Sequence, residues 1–474
     1  IFLSDKFLTK KYLDEKSFTY HSFDWLNTAK NLGGVENVAR SKKHIFNWYN
    51  KKYNKRSFVW NSSFISKRFI NLIYNYDFYA ISAANLDKIL LDKIILEHFL
   101  IINLEINQKK VTELKIEEYK SLLLGFLIYN KNADKILKIL LELLIIQIDK
   151  NGFHKSYNPM QQAEFLNNLH EIKNMLLFFK ISVPNELSYH IINMTALLTS
   201  LLHKDNSLAL FNGSNDLYNK EVHQIINLEN DVKSKDLKKI KKGIAIYNDK
   251  NKKIFMDIVL PINQLINDNL HASTHAIEIS SLGEKIITSC GSIEKRIGKK
   301  PEYLRYSAAH STIILNNTNI SELVENKSYK RAPKNIIFLS EEDKNYIIWK
   351  STHDGYIDNF KKIVKRSIFI SKDENKIIGQ DSIISTKMHS KKINYSIRFH
   401  LMPNSNCLIT NNYKSVLIKT KLNQTWVFKS NSKINIEDSI YINNGKKVEQ
   451  NKQIVINGTA DDKKKIENWS LIKS

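Results

Sequence analysis

A β-hairpin that begins with histidines is predicted by the stretch His271-Ala-Ser-Thr-His-Ala-Ile-Glu-Ile-Ser-Ser-Leu-Gly-Glu-Lys-Ile-Ile-Thr-Ser-Cys-Gly291. Residues alternate with a period of two from His275 to Ser280 and from Lys285 to Ser289, and Leu282-Gly283 supplies the turn. A second histidine segment, Tyr306-Ser-Ala-Ala-His-Ser-Thr-Ile313, follows it. Histidines at the ends of strands indicate a site on a β-rich domain.

The same alternation continues through the part of the chain that follows residue 240. Turn residues separate the alternating runs at intervals of about ten residues, which is typical of an antiparallel β-sandwich. Further strands are predicted at Ser367 to Ile370, Lys376 to Gly379, Tyr395 to His400, Ser415 to Thr420, Trp426 to Lys429, Ser439 to Ile442 and Gln453 to Asn457.

The part of the chain before the sandwich has apolar residues at helical spacing. Helices are predicted at Asn85 to Leu104, Ile116 to Tyr129, Ala133 to Ile148 and Gln161 to Phe179. Many helices with short connections indicate a helical array or toroid. No clean repeat period is visible in the sequence. We therefore predict an (α/α) toroid-like domain over 1–235 and an antiparallel β-sandwich over 236–474. The boundary falls in a charge-rich stretch that ends at Lys242.

The amino-acid composition excludes several classes of protein but does not identify a binding partner. The 474 residues carry a formal net charge of +24, which favours a polyanionic partner. A biased codon composition explains that charge equally well. Lysines are spread along the whole chain, which argues against a nucleic-acid-binding tail, so we expect no nucleic-acid partner. No apolar run is long enough to predict a transmembrane segment, and two cysteines cannot build a disulfide framework.

Several common kinds of catalytic motif are missing from the sequence. It has no glycine-rich phosphate loop, no CxxC pair, no HExxH and no GxSxG elbow. A set of histidines remains: His154, His271, His310, His353 and His400. Any one of these histidines is explained as a core or surface residue whose hydrogen bonds are satisfied. Together, at the ends of helices and strands, they indicate a functional site.

Four segments of this set resemble the heparinase II/III family of polysaccharide lyases. Asn151 to Met160 resembles the Gly-Gly-His loop before a helix start, and His271-Ala272 with its hairpin resembles the HxHAD segment. Ala308-Ala-His310-Ser-Thr resembles the Ala-His-Asn-Thr strand of that family. The last segment combines two later sandwich motifs, which are His353-Asp-Gly-Tyr356 and Arg398-Phe-His400-Leu.

The resemblance implies a carbon–oxygen lyase that cleaves acidic, uronic-acid-containing polysaccharides or oligosaccharides by β-elimination. It implies a catalytic histidine at His154, and Asn158, Tyr306 and His353 join it as catalytic candidates. Arg305, Arg398 and His400 are candidates for holding the substrate. His271 and His310 match a family metal site, so they either bind a zinc ion or take its place structurally. No other cofactor is expected.

Departures from the family pattern leave a second hypothesis open. Gln161 and Gln162 stand where the family commonly has its catalytic Tyr, and Tyr157 or Tyr306 could substitute. Asn269, Ser273 and Ser289 stand at positions where the family has His, Asp and a carboxylate. The alternative is therefore a non-catalytic acidic-glycan-binding or cell-envelope protein that has lost the catalytic Tyr. The resemblance favours a periplasmic or envelope location, a cytoplasmic one stays open, and the oligomeric state is not predicted.

Overall fold

The computed structural model of the chain describes residues 18–216, 219–229, 242–261, 271–293, 302–324, 328–387, 392–410, 412–461 and 463–474. The chain divides into two compact units. The first comprises Ile1–Ile146 and Asn168–Ser188, and the second comprises Gln147–Asn167 and Tyr189–Ser474. The predicted domain boundary near residue 235 lies outside the described residues, so the predicted division stays a prediction.

Helices form the N-terminal part of the chain, as the apolar spacing predicts. The four predicted helices occur within two residues of their expected starts, and none of the helices in the described ranges is long and apolar enough to span a bilayer. The helices are α1 (Phe18–Ser22), α2 (Trp25–Leu32), α3 (Val35–Asn50), α4 (Ser62–Tyr74), α5 (Tyr76–Ala80), α6 (Asn85–Asn107), α7 (Ile116–Ile128), α8 (Asp134–Gln147), α9 (Pro159–Phe178), α10 (Asn185–Ser200), α11 (Asn219–Ile226) and α12 (Ile357–Phe360).

A buried arginine joins three helices of the first unit. Arg68 on α4 donates from Nε to His98 Nε2 on α6 at 2.7 Å, and from one terminal nitrogen to the carbonyl of His21 on α1 at 2.7 Å. Its guanidinium stacks on Trp48 at 4.0 Å from the ring centroid. Burial lowers the pKa of Arg68 to about 9, so the group keeps its charge at neutral pH. These bonds satisfy a charge that would otherwise be costly to bury.

Antiparallel strands form the C-terminal part, and the predicted fold class is confirmed. The strands are β1 (Gly243–Asn248), β2 (Lys252–Ile258), β3 (Ile277–Ser281), β4 (Glu284–Thr288), β5 (Ile313–Leu315), β6 (Glu322–Val324), β7 (Ser328–Arg331), β8 (Ile336–Glu342), β9 (Tyr346–Tyr356), β10 (Lys362–Ser371), β11 (Lys376–Ser385), β12 (Ile393–Leu401), β13 (Asn406–Thr410), β14 (Ser415–Lys419), β15 (Thr425–Ser430), β16 (Ile434–Asn443), β17 (Lys447–Ala460) and β18 (Lys465–Lys473).

The strands in the described part of the chain belong to two large sheets, except β6 and β7, which pair with each other in a small separate sheet. The first has the order β1-β2-β3-β4-β12-β17-β16, and β5 pairs with β12 beside that path. The second has the order β13-β14-β15-β18-β11-β10-β9-β8. The histidine hairpin is β3–β4, and His400 on β12 lies opposite Thr288 on β4. The first sheet therefore brings together segments that are far apart in the sequence.

Residues from both sheets share one hydrophobic core. Phe399 of the first sheet contacts Phe428 and Trp469 of the second, each at 4.8 Å between ring centroids. Trp469 also lies against Gly379, where a Cβ atom would collide with the indole, so this position requires glycine. Phe153 belongs to the same core. The loop that carries His154 is therefore packed onto the sandwich.

Candidate functional site

The loop that carries His154 is braced by one aspartate. Asp149 Oδ1 accepts hydrogen bonds from the backbone N–H groups of Asn151 at 2.8 Å and Phe153 at 3.0 Å. The Tyr157 hydroxyl donates to Asp149 Oδ2 at 3.1 Å. Gly152 has a φ of 90° and a Cβ there would lie 3.2 Å from the Asn193 carbonyl oxygen, so the turn favours glycine. This bracing gives His154 a fixed position.

His154 is a buried and neutral histidine with one ring nitrogen occupied. Nδ1 lies 2.7 Å from Ser156 Oγ, and the ring packs on Phe165 at 4.9 Å between centroids. Nδ1 also accepts the Ser156 backbone N–H at 3.3 Å, which puts the proton of the neutral ring on Nε2. Nε2 has a free lone pair only in the other tautomer, in which Nδ1–H donates to Ser156 Oγ. Burial, reinforced by the charge of Lys155, lowers the pKa of His154 to about 4. The imidazole is therefore uncharged at neutral pH and can accept a proton.

Gln162 holds the loop from the first turns of α9. Its Oε1 accepts the backbone N–H of His154 at 2.6 Å, and its Nε2 donates to the Gly152 carbonyl at 3.0 Å. A longer bond of 3.4 Å joins Nε2 to the Met194 carbonyl. The residue that departs from the family pattern thus has a structural role, because its amide satisfies backbone groups that would otherwise be buried without partners.

Asn158, predicted as a catalytic residue, is the N-terminal cap of α9. Its Oδ1 accepts the backbone N–H groups of Met160 at 2.9 Å and Gln161 at 3.2 Å. Its Nδ2 donates to the Asn212 carbonyl at 2.9 Å. Asn followed by Pro at the first helical position is a strong helix-start signal. The amide is therefore committed to the fold on both sides.

The segment that contains Asn212 connects the loop to the first sheet. Asn212 Nδ2 donates to the Tyr157 carbonyl at 3.3 Å, and two residues earlier the Leu210 N–H donates to Glu278 Oε2 at 3.0 Å. Glu278 on β3 also accepts from His203 Nε2 at 2.9 Å and from the Ser289 N–H at 3.1 Å. One carboxylate therefore ties this segment to both strands of the hairpin.

His271 and His310 face one another, as their shared prediction implies. His271 Nδ1 lies 3.1 Å from His310 Nε2, and the ring planes meet at 63°. Burial lowers the pKa of His310 to about 4. Residues 305–307 run beside this pair, because the Ala272 N–H donates to the Arg305 carbonyl at 2.9 Å and Ser307 Oγ donates to the Ala272 carbonyl at 2.7 Å. Arg305 and Tyr306 are thus adjacent to the pair in the fold.

His400 lies beside the same pair and is held from both ring nitrogens. Nδ1 is 2.7 Å from Ser439 Oγ, and Nε2 is 3.0 Å from the Ala308 carbonyl, to which it donates. Burial, together with His310 and Arg398, lowers the pKa of His400 to about 3. The thiol of Cys290 lies 3.7 Å from Nδ1, and burial raises its pKa to about 12, so it is not a thiolate nucleophile.

Arg398 and Tyr306, two further predicted site residues, have different surroundings. Arg398 pairs with Glu437 at 3.1 Å, and its side chain is 18% exposed. Tyr306 is 38% exposed, which leaves part of its side chain in contact with solvent. We use the name histidine cluster for His271, His310, His400 and Arg398 together with Arg305 and Tyr306, whose backbone runs beside the pair.

His353 does not belong to the histidine cluster, and its catalytic role stays a prediction. It lies on β9 with 1% exposure, and its ring packs on His275 at 4.6 Å between centroids. Burial lowers its pKa to about 3. Arg366, which is paired with Asp381 at 2.7 Å, donates to the His275 carbonyl beside it. His353 packs in the core of the sandwich, against His275.

Comparison with known proteins identifies the family. A model described as "Heparinase II/III-like, C-terminal" matches residues 233–470, which is half of the chain. The chain belongs to the heparinase II/III-like family. No curated protein sequence matches it.

Solved structures match this heparinase II/III-like chain over nearly its whole length. A structure of heparinase III has a TM-score of 0.77 at 14% identity, covering 97% of this chain and 77% of that one. Heparan sulfate lyase HepC from Pedobacter heparinus has 0.67 at 14%, covering 96% and 76%. Chondroitin AC lyase from Streptomyces coelicolor A3 has 0.55 at 8%, covering 96% and 74%. At these identities the likeness establishes a shared fold.

The zinc ion implied by the family resemblance does not fit the donors of this heparinase II/III-like chain. Zinc sites use at least three protein ligands drawn from Cys, His, Asp and Glu. His271 and His310 supply two nitrogens, and within the described ranges no group of three such residues is close enough to hold a metal. No step of the chemistry is therefore assigned to a metal.

Two residues of the site were missed from the sequence of this heparinase II/III-like chain. Glu278 had a signal, because an acidic residue stands between Ile277 and Ile279 in a strand that is buried on both faces. His203 had none, since its segment has no motif and its partners Glu278 and Ser280 come from distant β3. Both residues organise the site and neither is exposed to a substrate.

Proposed function

We propose that this chain acts on uronic-acid-containing glycans by β-elimination, with His154 as the base. The observation that carries the proposal is a neutral imidazole whose Nδ1 is held by Ser156, in a loop braced by Asp149 and Gln162. Positioning of a proton acceptor is what general-base catalysis requires. Structures named as heparan sulfate lyase and chondroitin AC lyase share the fold, which supports this class of substrate.

The reaction moves one proton and breaks one carbon–oxygen bond. In the tautomer whose Nδ1–H donates to Ser156 Oγ, His154 Nε2 would take the proton alpha to the uronate carboxylate, and the electron pair of that C–H bond would form the carbon–carbon double bond. The glycosidic C–O bond would break, and an acid would protonate the leaving oxygen. Since His154 has a low pKa, it is a weak base, so the enolate-like intermediate needs strong stabilisation by donors and cations.

The histidine cluster would supply the remaining parts of that reaction. Arg305 and Arg398 are cations suited to the substrate carboxylate, because a guanidinium can hold a carboxylate through two parallel bonds. The partly exposed Tyr306 is the candidate acid. His400 would act through its donation to the Ala308 carbonyl, which holds the segment that leads into His310. Asn158 would position the loop and not touch the substrate.

A second candidate function is binding of acidic glycans without cleavage. One observation favours it specifically: Gln162, one of the two glutamines at the family's tyrosine position, uses its whole amide to hold the loop. Its neighbour Gln161 offers no group that can protonate a leaving oxygen. Such a chain would retain the cations that attract uronates and lack the acid.

Ultraviolet absorbance of an unsaturated uronate distinguishes the two functions. The full chain is incubated with a panel of uronate polymers and short oligomers, and binding is measured in parallel by calorimetry. We expect absorbance to rise with the wild type and to stay flat with His154→Gln. The matched control is His223→Gln, a half-buried histidine on α11, which should behave as the wild type. Binding without any rise would support the second function and contradict the first.

A further inference from the structure

The facing nitrogens of His271 and His310 form a hydrogen bond with one another. They are 3.1 Å apart, and both side chains are buried. One of the two nitrogens must carry the proton of that bond, whereas a metal ligand must present its lone pair. The distance alone does not decide, because two ligands about 2.05 Å from a tetrahedral zinc lie roughly 3.3 Å apart. The number of available ligands decides between a hydrogen-bonded pair and a zinc site.

Ser289 lies beside His310, one member of the histidine pair. The Cys290 N–H donates to the Ala309 carbonyl at 2.9 Å, and Ser311 Oγ donates to the Thr288 carbonyl at 2.7 Å. These two bonds bracket residues 289 and 310, so Ser289 lies alongside His310. Its Oγ is buried and has no hydrogen-bond partner in the described part of the chain. A neutral hydroxyl is not among the ligands that protein zinc sites use.

The other donors nearby are committed elsewhere. Glu278 accepts from the Ser289 N–H, the Leu210 N–H and His203 Nε2. Cys290 lies against His400 and Ser439, and burial keeps it protonated because its pKa is raised to about 12. Turning either group toward the histidine pair would break buried hydrogen bonds, which costs about 1–3 kcal/mol for each group left unsatisfied.

We propose that this chain holds His271 and His310 as a metal-free hydrogen-bonded pair, and that Ser289 keeps it so by offering no third ligand. A carboxylate at position 289 would complete a three-ligand zinc site from groups that are already in place. Ser289→Asp breaks no hydrogen bond of the serine hydroxyl. The proposal does not depend on the proposed catalytic function, since zinc content and thermal stability report on it directly.

The test compares the full-length wild type with Ser289→Asp and with the isosteric, neutral control Ser289→Asn. Each protein is incubated with zinc, dialysed and analysed for metal, and its melting temperature is measured with zinc and with chelator. We expect about one retained zinc per chain for Ser289→Asp alone. We also expect zinc to raise the melting temperature of that variant only, since a ligand that binds the folded state stabilises it.

Stoichiometric zinc in the wild type, or a melting temperature that chelator lowers, would overturn the proposal. So would a Ser289→Asp chain that folds and retains no more zinc than Ser289→Asn. If Ser289→Asp folds only with zinc present, the proposal is supported, because the buried aspartate then needs its metal. Adding His310→Ala to Ser289→Asp should abolish zinc retention, which checks that the metal sits at the pair.

Discussion

His203 Nε2 and Glu278 Oε2 are joined by a fully buried hydrogen bond of 2.9 Å across 75 residues of sequence. Burial opposes ionisation of Glu278, but the hydrogen bond from His203, the charge of Lys285 and the Leu210 N–H hold its pKa below the usual value. Burial lowers the pKa of His203 as well, so its imidazole donates this bond as a neutral group. The carboxylate is therefore ionised at neutral pH. It is the point at which the segment before α11 is fastened to the histidine hairpin.

Glu278→Gln should destabilise the protein by about 2–3 kcal/mol, because it replaces a charged acceptor of several buried bonds. The measurement is the free energy of unfolding in urea. Glu341→Gln is the control, since Glu341 is half exposed and pairs with Lys350 on the surface. Its effect should stay within about 0.5 kcal/mol. Equal effects of the two changes would contradict this account of Glu278.

Asn158→Ala should cost about 1 kcal/mol of stability, because it removes the cap of α9. Asn158→Asp keeps the capping oxygen but sets a buried carboxylate oxygen against the Asn212 carbonyl, so its cost should be at least as large as that of Asn158→Ala. Thermal unfolding and turnover are measured on both variants. If Asn158→Asp abolished turnover at unchanged stability, the amide would have a direct role in the chemistry, contrary to the capping assignment.

Gln161→Tyr should increase the rate of β-elimination, because it adds a phenol at the family's usual position for the acid. Its backbone N–H can keep the bond to Asn158 Oδ1. Gln161→Phe is the matched control, since it has the same ring without the hydroxyl. The rate is followed by ultraviolet absorbance on the best substrate of the panel. Equal rates for the two variants would show that a phenol at this position is not used.

Acid should destabilise the sandwich through its buried histidines. Burial lowers the pKa of His353 to about 3; Asp354 opposes this shift and Arg366 reinforces it. Burial also holds the pKa of His275 well below its usual value, and His353 and Arg366 reinforce that shift. As the pH falls below about 6.5, these two histidines therefore take up protons in the unfolded chain before they do so in the folded protein. Stability then falls with decreasing pH, by up to about 1.4 kcal/mol per pH unit for each histidine.

His353→Phe should reduce that slope by about the contribution of one histidine, measured as unfolding free energies between pH 7.5 and 5. His223→Phe on α11 is the control and should leave the slope as it is in the wild type. The buried carboxyl of Asp257 acts in the opposite direction, because burial raises its pKa to about 7 and its folded form gains stability as pH falls. An unchanged slope for His353→Phe would contradict the assignment of His353 to the acid response.

Local patterns in the sequence predicted the helices and strands well. The helical spacing of Asn85 to Leu104 and the alternation around Lys285 depend on neighbours in the chain, so they are visible without a structure. The pairing of His271 with His310 followed from the family resemblance. The roles of single residues were harder to predict: Asn158 has a cap signal, Asn-Pro, and its catalytic role stays a prediction.

Positions that depend on distant contacts could not be predicted. His353 resembled the other histidines; it shares the buried face of β9 with Ile347 and Trp349, and what covers that face is decided by tertiary packing. The position of Ser289 beside His310 depends on hydrogen bonds between residues that are separated by a long loop. Such registers are set by tertiary packing and not by local sequence.

Strand β18 follows every other described strand in the chain, yet it lies in the interior of the second sheet, between β15 and β11. During synthesis the strands before it can form only two separate part-sheets, each with an unpaired edge where β18 belongs. Exposed edges of this kind invite pairing with other chains. Productive folding of the sandwich must therefore wait for β18, and removal of that one strand should yield an aggregating protein instead of a smaller stable one.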